Sequence, residues 1–168
     1  EKLASLPEAF EGGGGVTAGN SCPLNDGAAA ALIMSDEKAK ALGLTPRARI
    51  ITAATWGNEP EYMGVAPIGA IKKALDRAGM TIEDVDTVEL NEAFAAQVIP
   101  IMDECGIPLD KMNPHGGAIA LGHPFGQTGV RIMTTLLNGL ESDDKTIGLE
   151  TMCVAQGQGE AMIVERLK

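Results

Sequence analysis

The sequence predicts an α/β protein in which helices cover both faces of a mostly parallel, mixed sheet. Segments with the composition of buried strands alternate with segments whose apolar residues recur at helical spacing, and the predicted order is βαβαβαββ. The 168 residues include 21 glycines, and only 3% of the side chains are aromatic. A tightly layered core of small and aliphatic residues is therefore expected.

The chain divides into three predicted segments. Residues 1–22 are expected to be a linker or loop, because Gly12 to Gly15 form an uninterrupted glycine run with no candidate core around it. Residues 23–45 are expected to hold one strand and one helix. Residues 46–168 follow a Thr-Pro break and are expected to form the main domain.

Four elements are predicted in the first half of the chain. Ala28 to Met34 is a short apolar run typical of a buried strand. Ser35 then caps a helix that ends before Gly43. Arg49 to Trp56 is rich in Ile and Thr and predicts the first strand of the main sheet. Pro67 to Gly79 combines a helix-start proline, apolar residues at helical spacing and a glycine stop.

The second half continues the alternation. Asp84 to Leu90 predicts a buried strand, and Glu92 to Glu104 predicts a helix that Pro100 is expected to kink or shorten. Gly116 to Leu121 predicts a third apolar strand, and Val130 to Leu140 predicts a third helix.

The last two predicted strands form a hairpin. Ile147 to Val154 and Ala161 to Val164 have the apolar composition of strands and are joined by a short segment with two glycines. Because the connection is short, the pair is expected to be antiparallel.

Charge and cysteine content exclude several functional classes. The net charge is −10 with no basic run, so nucleic acid is not an expected partner. No apolar run reaches the length of a membrane helix. The three cysteines are far apart and lack a Cys-x-x-Cys spacing, which argues against a disulfide framework and a structural metal site. A reducing compartment such as the cytoplasm fits best.

Three side chains follow predicted strands at the sheet edge where ligands bind in such folds: Asn91, His123 and Cys153. His123 is either a general base or a turn histidine bonded to the backbone. Cys153, followed by a glycine-containing turn, is either part of an oxyanion site or inert core. Asn91 either holds a ligand or caps a helix.

The other histidine and cysteines are given structural interpretations. His115 precedes a predicted strand, at the end opposite the expected site, and is expected to be structural or solvated. Cys105 lies on the apolar stripe of a helix and is expected to be core. Cys22 is expected to be a loop residue rather than a nucleophile.

Read together and in order, these segments resemble the carboxyl-terminal half of a thiolase. The motifs are Asn91-Glu-Ala-Phe-Ala-Ala-Gln, the twelve residues from Asn113 to Pro124 with the sequence NPHGGAIALGHP, and Cys153 with its glycine turn. Segments near residues 17–20 and 25–30 extend the resemblance over nearly the whole chain.

The resemblance implies acyltransferase chemistry on coenzyme A thioesters, with coenzyme A as a substrate and no other cofactor. His123 is then expected to activate a nucleophilic cysteine and, with a water held by Asn91, to form an oxyanion hole for a thioester enolate. Cys153 is expected to move the proton at the α carbon, and the Ala155 N–H to serve a second oxyanion hole.

The resemblance also implies a set of substrate-binding positions. They surround the acyl and pantetheine groups and comprise Ser21, Cys22, Pro23, Met63, Phe94, Ala155 and Gly157. Two of these regions depart from the family pattern. Cys22-Pro23 stands where a Ser-Gly pair is common, and Ala155-Gln156 stands where the family usually has glycines, so alanine at 155 loses the freedom to adopt positive φ.

A further departure concerns the acylated cysteine of thiolases, which lies in a Cys-x-Ser-Gly context that is absent here. We therefore expect a carboxyl-terminal fragment that is inactive alone. Residues 1–22 would end the loop domain, 23–45 would close the amino-terminal half, and 46–168 would be the carboxyl-terminal domain. Its expected partners are the missing amino-terminal half and, in a homodimer or homotetramer, further copies.

Two alternatives stay open at this stage. The first is a non-catalytic acyl-CoA or lipid-binding module of thiolase ancestry. The second is a metal-dependent hydrolase that uses His115, His123 and Cys153, although their spacing matches no known ligand pattern.

Overall fold

A computed structural model describes residues 1–168 and contains one four-stranded sheet. Its strands are β1 (Ala48–Gly57), β2 (Thr87–Leu90), β3 (Ile147–Val154) and β4 (Gln158–Arg166), arranged in the order β1-β4-β3-β2. β2 and β3 are parallel, whereas β4 is antiparallel to both of its neighbours. The predicted α/β class with a mixed sheet and a terminal hairpin is confirmed. The expectation of a mostly parallel sheet is wrong, because only one of the three strand pairs is parallel.

Five α-helices accompany the sheet. They are α1 (Asp36–Leu42), α2 (Ala66–Ala78), α3 (Ala95–Cys105), α4 (Ala118–Leu121) and α5 (Thr128–Ser142). The predicted stop signals act as expected, since Gly43 and Gly79 follow α1 and α2 in the left-handed conformation. The Ser35 hydroxyl caps α1 by accepting the Lys38 N–H at 3.2 Å. Pro100 lies inside α3, which nevertheless continues to Cys105.

Helices pack on both faces of the sheet, as predicted. The larger core layer lies on the face that α2 covers and includes Ile71 and Ala74 of α2 with Ala161 and Ile163 of β4. Neighbouring side chains of a strand point to opposite faces of the sheet. Val164 of β4 therefore lies on the other face, where it packs against Leu136 and Leu140 of α5. The sheet is thus the middle layer of three.

The predicted third strand at Gly116 to Leu121 is wrong. Ala118–Leu121 is the short helix α4. A strand beside β2 would need the backbone groups of Leu90, but the Asn113 side chain already occupies both: its Oδ1 accepts the Leu90 N–H at 2.8 Å, and its Nδ2 donates to the Leu90 carbonyl at 2.9 Å. The chain touches β2 only at a single bridge between Val88 and Met112 before it turns away.

The predicted strand at Ala28 to Met34 is also wrong. This apolar segment makes no strand pairing, and Leu32 and Ile33 are 78% and 72% exposed. A strand requires a neighbour for its N–H and carbonyl groups, and no other segment of the described chain supplies one. The glycine run at 12–15 lies among turns outside the core, as expected. No helix is long and apolar enough to cross a membrane.

Candidate active site

Asn91 lies directly after β2 and extends its pairing, since its N–H donates to the Thr151 carbonyl of β3 at 3.0 Å. The side chain is completely buried, and neither amide atom has a hydrogen-bond partner. It does not cap α3, whose N-cap residue is Phe94. The capping interpretation is therefore wrong, and the Asn91 amide has its full hydrogen-bonding capacity for another group.

Cys153 lies near the end of β3, opposite Gly159 of β4, and its side chain is buried. Burial raises the pKa of the Cys153 thiol, because the thiolate would lose its hydration. The Gln97 amide faces the thiol and opposes this increase in pKa, at a contact that does not reach hydrogen-bond geometry. At neutral pH the resting side chain is accordingly a thiol, which can donate a proton.

His123 follows α4 and is fixed at two points. Its backbone N–H donates to Asn25 Oδ1 at 3.0 Å, and its ring Nδ1 lies 2.6 Å from Thr128 Oγ1. The Thr128 hydroxyl donates its only proton to the Pro124 carbonyl at 2.9 Å. Thr128 can therefore only accept from His123, which assigns the imidazole proton to Nδ1 and leaves the Nε2 lone pair free to take a proton.

The charge state of His123 favours the same role. Burial lowers the pKa of the imidazole, and the positive charge of Arg131 lowers it further. The ring is half-buried beside Phe125, with ring centroids 4.8 Å apart. It borders a pocket of about 320 Å³ that is lined by Leu24, Asn25, Asp26, His123 and Phe125. His123 is thus a neutral base at the edge of an open site.

The family model for the thiolase carboxyl-terminal domain matches residues 44–166, and the model for the thiolase amino-terminal domain matches residues 1–37. The chain belongs to the thiolase family. This confirms the resemblance of the Asn91, Asn113 and Cys153 motifs.

Individual relatives agree with the family assignment. Over 99% of this chain, the sequence is 50% identical to the acetyl-CoA acetyltransferase of Escherichia coli. Over 98% of this chain, it is 55% identical to a 3-ketoacyl-CoA thiolase of Vibrio cholerae. Its fold matches the crystal structure of the Bacillus anthracis acetyl-CoA acetyltransferase with a TM-score of 0.95 and 43% identity over 99% of this chain. It spans only 42 or 43% of the length of these three proteins.

The segment around Ser21 packs against the start of α3 in this thiolase chain. Ser21 and Phe94 form an antiparallel bridge, and the Cys22 N–H donates to the Ala93 carbonyl at 3.0 Å. Cys22 lies near enough to Cys153 to influence its pKa, whereas Pro23 is exposed. Of the predicted substrate-binding residues, Ser21, Cys22 and Phe94 are thereby brought together beside Cys153.

A second pocket, of about 300 Å³, borders this segment. Eight residues line it: Phe10, Val16, Tyr62, Gly64, Val65, Phe94, Ala96 and Gln97. Phe94 is the one predicted substrate-binding residue in this set. Met63 is half-buried between two lining residues but does not itself line the pocket.

In the turn after Cys153, the non-glycine residue with a positive φ lies one position later than the sequence suggests. The residue at positive φ is Gln156, with φ of 68°, and not Ala155. Gly157 has φ of 83° and packs against the backbone of Asn58, where no side chain fits. Ala155 therefore keeps an ordinary backbone conformation, and the expected conflict between alanine and positive φ does not occur there.

The three predicted catalytic residues are not directly bonded to each other. No hydrogen bond joins His123 to Asn91 or Cys153. His115 instead contacts Asp143, the residue after α5, with Nε2 3.5 Å from the carboxylate. This agrees with its structural or solvated interpretation. No group of three or more His, Cys, Asp or Glu side chains has the arrangement of a metal site.

Sequence reasoning missed the residues that support the site. Glu92 joins the loop at Asn113 to α4, because its carboxylate accepts from Asn113 Nδ2 at 2.7 Å and from the Ile119 N–H at 3.1 Å. Thr128 sets the tautomer of His123, and Arg131 sets its electrostatic environment. Each of these contacts forms only because α4 and α5 pack near the end of β2 in the folded chain. A spacing pattern along the chain carries no signal for such contacts.

Proposed function

We propose that this chain supplies the carboxyl-terminal part of a thiolase active site. The reaction is acyl transfer between CoA thioesters, either thiolysis of a 3-ketoacyl-CoA by CoA or the reverse Claisen condensation of two acyl-CoA molecules. The main support is His123, whose Nδ1 proton is fixed by Thr128 and whose Nε2 is free to accept a proton. The names of the relatives support the substrate class.

In this proposal the chain's residues divide the proton transfers between them. His123 takes the proton of the nucleophilic cysteine, which then attacks the keto carbon of the substrate. When the carbon–carbon bond breaks, the electron pair remains on the thioester enolate, whose oxygen is stabilised by His123 and by a water bound to Asn91. Cys153 donates its proton to the enolate carbon, a role that suits a buried thiol of raised pKa.

The nucleophile itself is proposed to come from an amino-terminal part that this chain does not contain. None of Cys22, Cys105 and Cys153 lies in a Cys-x-Ser-Gly context. We therefore infer that the 168 residues alone do not turn over substrate. We further propose that the intact enzyme is a cytoplasmic homodimer or homotetramer that uses coenzyme A as substrate and no other cofactor.

The test compares the chain alone with a chimera. In the chimera, this chain replaces the matching carboxyl-terminal part of the E. coli acetyl-CoA acetyltransferase, and thiolysis is followed by the loss of acetoacetyl-CoA. The chimera is expected to turn over and the chain alone is not. Steady turnover by the 168 residues alone would refute the proposed division of the site. A folded chimera that binds acyl-CoA without turnover would instead favour a non-catalytic binding module.

A further inference from the structure

One face of β2 carries a row of buried polar side chains. Thr87, Glu89 and Asn91 occupy alternate positions, so their side chains lie on the same face. Each is at most 1% exposed. The Thr87 hydroxyl, both Glu89 carboxylate oxygens and both Asn91 amide atoms lack a hydrogen-bond partner within the protein. This row ends at the candidate active site.

Two charged residues complete this layer from neighbouring elements. Glu150 of β3 stands opposite Glu89 in the parallel register, and one of its oxygens is buried without a partner. Gly148 and Met152, two residues before and after Glu150, lie on the same face of β3 as Glu150. Both contact α5, Gly148 at Leu136 and Met152 at Gly129. Arg131 of α5 adds three guanidinium nitrogens that are also buried and unpaired. We call the five side chains of Thr87, Glu89, Asn91, Arg131 and Glu150 the polar layer.

The polar layer is too widely spaced to satisfy itself. The Arg131 guanidinium makes no hydrogen bond to either glutamate. Its charge nevertheless lowers the pKa of Glu89, while the charge of Glu92 raises it. A buried polar atom without a partner costs about 1–3 kcal/mol, and a charged one costs more. Ordered waters relieve this cost in folded proteins, because each makes about three hydrogen bonds to such atoms.

We propose that Glu89 and Arg131 are positioning residues, which orient the Asn91 amide through ordered water in the polar layer. The inference rests on the proposed function, in which Asn91 holds a water of the oxyanion hole. Above its raised pKa of about 7 the Glu89 side chain is a carboxylate, which only accepts hydrogen bonds, and the Arg131 guanidinium only donates them, so waters between the two have a fixed orientation. That orientation decides which end of the Asn91 amide accepts and which donates.

The same layer connects the two sides of the site. Arg131 influences both Glu89 and His123 by its charge. The charged groups that face Glu89 are Arg131 from α5, Glu150 from β3 and Glu92 from the turn after β2. Loss of the Glu89 charge is therefore expected to alter Asn91 through the waters without removing any group that touches substrate.

A crystal structure of the 168-residue chain, at a resolution that shows ordered water, tests the network directly. Water is expected between the Arg131 guanidinium, the Glu89 carboxylate and the Asn91 amide. A direct Arg131–Glu89 ion pair with no water beside Asn91 would overturn the proposal. This measurement needs no activity, so it decides the inference even if the proposed function fails and the chimera is inactive.

Kinetics of the chimera test whether Glu89 acts through Asn91. At about pH 8.5, where Glu89 is ionised, Glu89→Gln is expected to lower kcat about tenfold while KM changes by less than about twofold, because substrate contacts are kept. In an Asn91→Ala background the same substitution is expected to have no further effect. An equal effect in both backgrounds, or no effect in either, would refute the positioning role.

Two checks accompany this cycle. Asp103→Asn, at an exposed position of α3, is the matched loss of a carboxylate and is expected to leave kcat unchanged. Thermal unfolding of each variant identifies a Glu89→Gln protein that has lost its fold, and in that case the crystal structure of the unmodified chain decides the question.

Discussion

His123 Nδ1 lies 2.6 Å from Thr128 Oγ1, and the same hydroxyl donates to the Pro124 carbonyl. The first turn of α5 thereby fixes the tautomer of a side chain that precedes it by five residues. Because Nδ1 carries the proton, the lone pair of the neutral ring is on Nε2, where a base needs it. The hydroxyl of Thr128 is thus part of what makes His123 a base.

Thr128→Val is therefore expected to slow acylation. The substitution keeps the side-chain volume but removes the acceptor for Nδ1–H, so the ring can adopt either tautomer or rotate. We expect acylation in the chimera to fall by about tenfold or more, within the range for a misplaced general base. Thr128→Ser keeps an acceptor and is expected to keep most of the rate. Equal burst rates for the Val and Ser variants in rapid-quench experiments would contradict this role.

His123→Ala and Cys153→Ala are expected to affect different steps. In the proposed mechanism His123 is the base that activates the nucleophile, so its loss is expected to lower the rate of acylation by about 10²–10⁴-fold. In the same proposal Cys153 is the proton donor of the enolate step, so without it acylation is expected to continue while thiolysis and condensation fall by a similar factor. Single-turnover formation of acyl-enzyme, compared with steady-state thiolysis, separates the two. If both variants lost acylation equally, the division of roles would be wrong.

The helices were predictable because their signals are local. Ser35 and Gly43 bound α1, and Gly79 ends α2, by contacts within a few residues. Strand assignments at 28–34 and 116–121 were wrong because an apolar run does not reveal its neighbours. At 116–121 the Asn113 amide has taken the backbone groups that a strand would pair with, which is a contact across 23 residues.

In the candidate site, too, local features were predictable and contacts between distant parts of the chain were not. Asn91 and Cys153 were found from strand ends, which are a local feature with a known relation to ligand sites. The polar layer could not be predicted in this way, because Glu89 and Arg131 come together only when α5 covers the sheet. One signal was present: glutamates at 89 and 150 stand inside otherwise apolar or uncharged strands. Such residues are rarely buried without a reason.

Gly157→Ala and Gly159→Ala are expected to destabilise the β3–β4 turn. Gly157 has φ of 83° and packs on the Asn58 backbone, and a Cβ at Gly159 would overlap the backbone of Ala66. Each substitution is expected to lower the free energy of unfolding by about 1–3 kcal/mol. Gly57→Ala is the matched control, because a Cβ there meets no atom within 4 Å. Urea unfolding measures all three, and equal losses would show that local packing is not the cause.

The segment from Leu24 to Ile33, which contains no helix or strand, is expected to make the isolated chain associate. Leu24 is 91% exposed, and the segment makes no strand pairing in this structure. Exposed apolar runs of this kind tend to bury themselves against other surfaces. Leu32→Lys with Ile33→Lys is expected to reduce self-association in sedimentation velocity at micromolar concentration. Leu109→Lys, at a similarly exposed position elsewhere, is the control, and a monomeric unmodified chain would contradict the prediction.

The Glu89–Glu150 pair is expected to make stability fall as pH rises through neutrality. Burial raises the pKa of Glu89 to about 7, and burial together with the neighbouring Glu89 charge raises the pKa of Glu150 to about 8. In the unfolded chain both carboxyls ionise near the ordinary value of 4.5. Between these limits the folded protein holds protons that the unfolded chain has lost. The stability that the pair contributes is therefore present below about pH 4.5 and is lost as pH rises through 7 to 8.

Glu150→Gln tests this dependence, because it removes one titrating carboxyl and the repulsion of the other. The free energy of unfolding of the unmodified chain, measured in urea from about pH 5.5 to about pH 8.5, is expected to decrease with a slope of up to about 1.4 kcal/mol per pH unit for each proton lost. The slope of the Glu150→Gln variant is expected to be smaller. Glu61→Gln, at an exposed position, is expected to keep the original slope. Parallel slopes for all three proteins would show that both glutamates are already ionised at pH 5.5, since a carboxylate with an ordinary pKa contributes no dependence in this range.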